Sequence, residues 1–188
     1  NIVANLGLVL EAHNSYGVTL NKMEKFQQAE EILTKLLNLV PKYPLALNNL
    51  ATAYAELNQV EEAIACYKKA IQISSDGRTL RNLARLYKIN GETENARMTY
   101  LQAIDFDDRD QEAYKGYVST VKIKESDPVF AKLKKFAREQ NDCFCDAKWY
   151  FALAKCFDDC GDASKAFYYF KLGNDLNMEN SPYDLQLD

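Results

Sequence analysis

The sequence predicts an all-α fold, a solenoid of about five helix-turn-helix repeats, and two observations lead to this prediction. One spacing of apolar and small residues recurs at intervals of 33, 34 and 70 residues. A period near 34 built from paired helices is typical of a solenoid. The chain also has only seven Gly and four Pro among 188 residues, which favours helices joined by short turns.

Each repeat is predicted to be a pair of helices that meet through small residues. Residues at positions i, i+3, i+4 and i+7 share one face of a helix, and small side chains on that face let two helices approach closely. The clearest copy is Leu50-Ala51-x-x-Tyr54 followed by Ala63, Tyr67 and Ala70. The other copies are Leu83-Ala84-x-x-Tyr87 with Ala96, Tyr100 and Ala103; Tyr16-Gly17-x-x-Leu20 with Ala29, Leu33, Leu36 and Pro41; and Leu153-Ala154-x-x-Phe157 with Ala166, Phe170 and Gly173.

Turn residues separate the two helices of each repeat. Asn58 lies where the chain turns in the clearest copy, and Gly91 and Gly161 take the same place in two others. Asn and Gly tolerate the left-handed backbone conformation that such a turn needs. Pro41 and Pro44 are expected to end one repeat and begin the next.

This pattern resembles the tetratricopeptide repeat, and the resemblance covers nearly the whole chain. It implies a right-handed alpha-alpha superhelix that forms a single domain, residues 1–188. Residues 1–9 are expected to extend the first helix, and residues 181–188 to form a tail or the first turn of a further helix. The predicted repeats are 10–43, 44–76, 77–110, a degenerate 111–146, and 147–180.

The fourth repeat lacks a Gly turn and a small residue at the helix crossing. Its first helix is expected to carry Tyr114, Tyr117 and Val121, and Ser126-Asp127-Pro128 is typical of an N-cap followed by Pro in the first turn. The segment 141–146 is predicted to be a loop. The second helix is expected to contain Val129, Phe130, Leu133, Phe136 and Ala137.

Composition excludes some classes of function. The net charge of −4 argues against nonspecific nucleic-acid binding, which needs a basic surface. This overall charge does not exclude a local basic patch. No stretch approaches the roughly 18 consecutive apolar residues that a membrane span needs. Five cysteines without the spacing of a disulfide framework favour a reducing compartment, and we therefore expect a cytoplasmic protein.

Four cations share one face of the first helix in the third repeat. They are Arg78, Arg81, Arg85 and Lys88, at spacings of 3, 4 and 3 residues. In tetratricopeptide arrays the first helices line a concave groove, so the resemblance implies that these cations face a bound partner. A ligand with acidic side chains or a C-terminal carboxylate, held by charge-assisted hydrogen bonds, is one interpretation, and a solvated helix face is the other. Lysines in comparable places of the later repeats are Lys115, Lys122, Lys148 and Lys155.

Asparagines lie on the first helices as well. Asn49 and Asn82 occupy equivalent places, and an asparagine amide can pair with both the N–H and the C=O of an extended peptide. Exposed polar filler is the alternative interpretation. The two-carboxylate clamp of chaperone-binding members of the family is incomplete, so no chaperone partner is predicted. The candidate partner-binding residues are Asn14, Asn48, Asn49, Arg78, Arg81, Asn82, Arg85, Lys88 and Lys115.

No residue pattern indicates catalysis, a cofactor or a metal site. His13 is the single histidine, and its place near the N-terminus favours a packing role. A chain with one histidine offers no easy nucleophile–histidine–acid arrangement, and it has no Gly-rich phosphate loop. Cys143, Cys145, Cys156 and Cys160 do not match the familiar spacing of zinc ligands, and free cysteines are common small core residues.

The C-terminal third has a more specific resemblance, to the last repeats of bacterial tetratricopeptide sulfotransferases. The residues that carry it are Asp127-Pro128, Tyr150 to Lys155, Gly161-Asp162, Lys165 to Phe167, Gly173-Asn174-x-Leu176 and Tyr183-Asp184. The sequence therefore leads to two hypotheses about function. The first is a noncatalytic module that binds a protein or extended peptide. The second is the targeting region of a larger sulfotransferase whose catalytic domain is absent from this chain. Self-association through the aromatic C-terminal surface, Phe167 to Phe170, is compatible with either.

Overall fold

A computed structural model describes the backbone of residues 2–138 and 146–180, and every regular element within these ranges is an α-helix. The predicted all-α architecture is therefore confirmed for the described residues, and the first helix does extend towards the N-terminus. The helices are α1 (Ile2–Lys22), α2 (Phe26–Leu39), α3 (Pro44–Glu56), α4 (Val60–Ile73), α5 (Gly77–Ile89), α6 (Thr93–Phe106), α7 (Gln111–Val118), α8 (Pro128–Arg138), α9 (Ala147–Asp159) and α10 (Ala163–Asn180).

The chain divides into two compact units, Asn1–Phe106 and Asp107–Asp188. In the first unit α1 packs against α2, α3 against α4, and α5 against α6, so each predicted hairpin is present. The first helices α1, α3 and α5 also contact one another in order. In the second unit α9 contacts α7, α8 and α10. The assignment of all residues to a single domain of five repeats stays a prediction.

The repeated small and aromatic residues form the contacts between the helices, as the sequence predicts. On α4, Ala63 and Ala70 are completely buried and Tyr67 is almost so. On α6, Ala96 and Ala103 are likewise completely buried. Side chains of this size on one face let the second helix of a hairpin lie close to the first, while the tyrosine fills the space beside them.

Left-handed turns join the two helices of four hairpins. Asn58, Gly91 and Gly161 have φ angles of 61°, 79° and 83°, which confirms the turns expected at these positions. Glu24 occupies the corresponding place after α1 with a φ of 59°. A glutamate in this conformation is unusual, because its Cβ lies close to the backbone and nothing in its side chain favours the region.

The sequence interpretation is wrong at two positions of α1. His13 was expected to pack, but it is exposed and its Nδ1 atom lies 2.7 Å from the carbonyl oxygen of Val9. Tyr16 is 52% exposed although its counterpart Leu50 is buried. Gly17 lies one turn after His13 on the same side of α1 and is buried against Leu33 of α2, whereas no helix among the described residues covers His13 and Tyr16.

The first helix of the degenerate repeat is shorter than expected. Helix α7 ends at Val118, so Val121 lies beyond it and is half-buried in the following segment. Ile123 is buried instead, and its backbone N–H donates to the Asp159 carboxylate over 3.0 Å. The Asp127 cap of α8 is confirmed, since its carboxylate accepts a hydrogen bond from the backbone N–H of Val129.

In the last hairpin, Gly173 on α10 lies against the Phe151 ring of α9, where a Cβ atom would come within 2.7 Å of a ring carbon. Phe170 was expected on the buried face with Gly173, but it is 38% exposed. The predictions that concern residues 139–145 and 181–188 lie outside the described residues. They include Cys143, Cys145, Tyr183-Asp184, the tail and most of the 141–146 loop.

Candidate functional site

Helix α5 carries the four predicted cations, and local sequence explains how the helix is placed. The Asp76 side chain caps its N-terminus by accepting a hydrogen bond from the backbone N–H of Thr79 over 3.0 Å. Leu80, Leu83 and Tyr87 are buried on one side of the helix. That apolar stripe fixes the rotation of α5 about its axis and leaves the cations on the remaining surface.

The cationic side of α5 is accessible. Arg78, Arg85 and Lys88 are exposed and Arg81 is half-buried. The helix Gly77–Ile89 contains no Asp or Glu. The Glu56 carboxylate on α3 lies 3.8 Å from the Arg85 guanidinium, and both side chains of this pair are about half exposed. Ion pairs of this kind contribute at most about 1 kcal/mol, so an incoming carboxylate can compete with Glu56.

Asparagine side chains connect the first helices of this unit. The Asn49 amide on α3 donates to the Asn14 side-chain oxygen on α1 over 2.9 Å. The Asn21 amide on α1 donates to the backbone oxygen of Asn49 over 2.8 Å. Asn14 and Asn49 are half-buried, as is Asn82 on α5. Each bridging amide therefore uses part of its hydrogen-bonding capacity within the protein.

Asn48 has a different environment from the one expected of a partner-binding residue. Its side chain is only 8% exposed, and its oxygen accepts a hydrogen bond from the Thr79 hydroxyl over 3.2 Å. This bond joins α3 to α5 in a buried position, where an unpaired amide would be costly. Asn48 is therefore part of the packing between α3 and α5, where it shares the Thr79 hydroxyl with the Asp76 carboxylate, 2.5 Å from that hydroxyl. The sequence offered no signal for this, since Asn48 and Asn49 lie side by side.

Lysines of the second unit have carboxylate neighbours. Lys115 on α7 is exposed. The Lys148 ammonium lies 3.0 Å from the Glu112 carboxylate, and the hydrogen bond to Glu112 raises the pKa of Lys148. Lys155 pairs with Asp159 one turn later on α9. The positive charge predicted for Lys148 and Lys155 is thus largely compensated within this unit.

The cysteines that the structure describes are free and dispersed. Cys156 is buried, and burial raises the pKa of its thiol to about 12. Cys160 is exposed one turn later, and Cys66 is half-buried on α4. Across residues 7–138 and 146–178, no three His, Cys, Asp or Glu side chains are grouped so that they could hold a metal ion. In the same part of the chain no helix is both long and apolar enough to span a bilayer.

Solved structures with the same fold are numerous. MamA has a TM-score of 0.69 and 18% identity, over 89% of this chain and 97% of that one. YrrB, described as a TPR protein with an unusual peptide-binding site, has a TM-score of 0.64 and 15% identity, and the alignment covers 87% of this chain and 84% of YrrB. A putative kinesin light chain of Podosopora anserina has a TM-score of 0.71 and 15% identity, and the alignment covers 92% of this chain and 97% of the kinesin light chain.

At these identities the similarity shows the fold, and it confirms the predicted solenoid of helix-turn-helix repeats. No curated protein matches the chain in sequence. The family model for the tetratricopeptide repeat matches residues 8–76 and 44–109, which together span more than half of the sequence. This match coincides with the three hairpins of the first unit. The chain therefore belongs to the tetratricopeptide repeat family.

Proposed function

We propose that this chain is a noncatalytic protein-interaction module that binds an acidic, extended peptide segment of a partner on the cationic side of α5. A tetratricopeptide fold supports such a role, because stacked hairpins present an extended binding surface. The observation that carries the proposal is the charge of α5. It has four cations and no carboxylate in a chain whose net charge is −4. The proposed site consists of Asn14, Asn49, Arg78, Arg81, Asn82, Arg85 and Lys88.

The spacing of the arginines suits an extended ligand. Arg81 and Arg85 are separated by a rise of about 6 Å along the helix. Alternate side chains of an extended peptide lie about 6.5–7 Å apart and point the same way. Two acidic residues with one residue between them can therefore each meet an arginine. Guanidinium groups bind carboxylates through two parallel hydrogen bonds, which lysine cannot do.

The half-buried amides supply the second part of the interaction. Asn82 lies on α5 between Arg81 and Arg85, and Asn14 and Asn49 bridge the neighbouring first helices. An amide offers one acceptor and two donors, so the hydrogen-bonding capacity left on these groups can pair with a peptide backbone. The charges would thus select the sequence of the ligand, while the amides would hold its main chain.

Charge reversal tests the proposal. The triple variant Arg78→Glu, Arg81→Glu and Arg85→Glu should remain folded and lose capture of the partner. A matched control reverses three exposed lysines elsewhere in the same unit, Lys25, Lys42 and Lys69, and changes the net charge equally. We expect the control to retain its partner.

A fluorescent peptide that alternates Glu and Ala, with a Gln-for-Glu counterpart, gives a direct measurement by anisotropy. The triple variant should bind the acidic peptide at least about tenfold more weakly, a loss of ~1.4 kcal/mol. Equal binding of the two peptides, or equal loss in the triple variant and the lysine control, would show that α5 has no specific role.

The sulfotransferase hypothesis stays a prediction. In the structure, the residues behind that resemblance cap and turn helices. Asp127 caps α8, Gly161 forms a left-handed turn, and Asp162 accepts a hydrogen bond from the backbone N–H of Lys165. Many helical hairpins need such residues. Sequencing the encoding gene past residue 188 tests the idea, and a continuing reading frame without a sulfotransferase domain would refute it.

Self-association is the third hypothesis, and the exposure of α10 favours it. Phe167 is 72% and Tyr168 57% exposed. Aromatic side chains of this size are common at interfaces between protein chains. Light scattering over a range of concentrations should reveal a dimer that Phe167→Glu disrupts, whereas a monomer at every concentration would exclude it. The cytoplasmic location also stays a prediction, which fractionation of cells can test.

A further inference from the structure

A cavity of about 490 Å³ lies on the second unit, where the segment before α8 meets α8, α9 and α10. Its volume is within the range of pockets that bind small ligands. Charged side chains from three parts of this unit converge on it, namely Glu125, Lys134, Arg138, Asp162 and Lys165. None of these residues belongs to the proposed peptide site on α5. We call this feature the Arg138 cavity.

Two of the cations that line the cavity are each paired with a carboxylate. The Lys134 ammonium lies 2.5 Å from the Glu125 carboxylate, and the Lys165 ammonium 2.7 Å from that of Asp162. The hydrogen bond from Lys134 lowers the pKa of Glu125, and that from Lys165 lowers the pKa of Asp162. Both carboxylates are therefore ionised at neutral pH, and each cancels one lysine.

Arg138 supplies the charge that remains. It is exposed at the end of α8, and within the described residues no carboxylate pairs with it. Among the described residues that line the cavity, three cations face two carboxylates, which leaves one net positive charge. A guanidinium offers five N–H donors in a planar fork that matches a carboxylate. The charge balance thus suits a ligand with a single negative charge.

Aromatic rings hold the two lysines in place and form an apolar wall. The Lys134 ammonium lies 4.2 Å from the centre of the Phe130 ring, and the Lys165 ammonium 5.2 Å from that of Phe157. Phe157 and Tyr169 also line the cavity, and their rings are stacked with centres 5.5 Å apart. Groups fixed in this way lose little freedom when a ligand arrives, which favours binding.

We propose that the Arg138 cavity binds a small organic carboxylate with an apolar body. Its carboxylate pairs with the Arg138 guanidinium and takes further hydrogen bonds from the two lysine ammonium groups, each of which has donors left over. Its apolar part lies against the Tyr169 and Phe157 rings. A free carboxylic acid and a glutamate beside an aromatic residue in a peptide offer the same chemistry.

Calorimetric titration with 4-phenylbutyrate tests the proposal, with 4-phenylbutyramide as the neutral ligand of the same shape. We expect the acid to bind and the amide to bind at least about tenfold more weakly. Backbone amide signals of Lys134, Cys160 and Lys165 should shift in nitrogen-15 spectra on titration. Absence of heat and of shifts would overturn the proposal, as would equal binding of the acid and the amide.

Variants locate the site. Arg138→Ala should lose at least about tenfold in affinity, and Arg138→Lys should lie between it and the wild type, because lysine keeps the charge without the planar fork. Lys171→Ala removes an exposed cation of α10 outside the cavity and should bind normally. Unchanged affinity in Arg138→Ala, with a spectrum that shows the native fold, would refute the assignment.

Two further ligands show whether the bound carboxylate comes from a peptide or a free acid, and which ligand charge the cavity prefers. A blocked peptide with adjacent Glu and Phe that binds more tightly than 4-phenylbutyrate would assign the cavity to a protein partner, and the reverse order would assign it to a free acid. Tighter binding of phenyl phosphate than of either carboxylate would overturn the preference for a single charge. Arg138→Ala should leave binding of the alternating Glu peptide unchanged, so this test is independent of the α5 site.

Discussion

Replacement of Gly17 by alanine should strain the contact between α1 and α2. An added Cβ atom would lie 2.6 Å from Cδ2 and 2.7 Å from Cγ of Leu33. Carbon atoms in contact normally lie about 3.5–4.0 Å apart, so the overlap is roughly 1 Å. Leu33 is completely buried in the core that α1, α2 and α3 share, where side chains are closely packed. Either its side chain must leave its preferred rotamer or the two helices must separate.

The expected magnitude combines two opposing effects. Overpacking of a close-packed core costs about 1–3 kcal/mol. Alanine is favoured over glycine inside a helix by about 1 kcal/mol, which offsets part of that cost. Gly7 provides the control in the same helix, because a Cβ atom there has no neighbour within 4 Å. Gly7→Ala should therefore gain from helix propensity alone.

Urea unfolding followed by circular dichroism measures both variants. The free energy of unfolding of Gly17→Ala should be lower than that of Gly7→Ala by about 1–3 kcal/mol, the overpacking cost itself. Equal midpoints for the two variants would show that α1 and α2 are not in the close contact described. A loss in Gly7→Ala as large as in Gly17→Ala would point to the same conclusion.

Three further predictions concern turns, ionisation and packing. Glu24→Gly should raise the free energy of unfolding by about 1 kcal/mol, because glycine adopts the positive φ without strain; a destabilised variant in the same urea assay would contradict this. Burial would raise the pKa of Asp159, but hydrogen bonds from the Ile123 N–H and from Lys155, together with nearby positive charge, lower it below its usual value of 3.8. The ionised Asp159 carboxylate therefore stabilises the fold fully above about pH 4, and this contribution is lost as the pH falls through the lowered pKa. In urea melts at a series of pH values, the stability of Asp159→Asn should depend less on acid pH than that of the wild type. Identical pH profiles for the two proteins would rule this out. Ala63→Leu and Ala96→Leu should each lower the free energy of unfolding by about 1–3 kcal/mol, since both sites are completely buried, and unchanged midpoints would count against the helix contacts.

The periodic pattern was sufficient to predict the helical hairpins and the contact residues of α4 and α6. Burial of Ala63, Tyr67 and Ala70 follows from a helical period that is visible in the sequence. The left-handed turns at Gly91 and Gly161 were predictable for a local reason, since few other residues adopt that conformation cheaply. Position along one helix likewise predicted that the cations of α5 would share a face.

Other features of the candidate sites depend on neighbours that are distant in the sequence. Asn48 is buried between α3 and α5, where its side-chain oxygen accepts a hydrogen bond from the hydroxyl of Thr79, 31 residues later. The charge of Lys148 is likewise compensated by a residue distant in the sequence, because its partner Glu112 lies on another helix. Sequence spacing describes one helix at a time, and it does not state which side chains of two helices meet.

The sequence by itself determined that this protein is a series of helical hairpins with an arginine-rich helix, because period, turn chemistry and charge are local properties of the chain. Only the tertiary structure decided which polar groups are used in packing and where a cavity forms. Arg138 shows the difference: no sequence pattern singled it out, and in the fold it lines one cavity together with Lys134, Lys165 and two aromatic rings. Burial and charge balance at such a point are set by segments that fold together from separate parts of the chain.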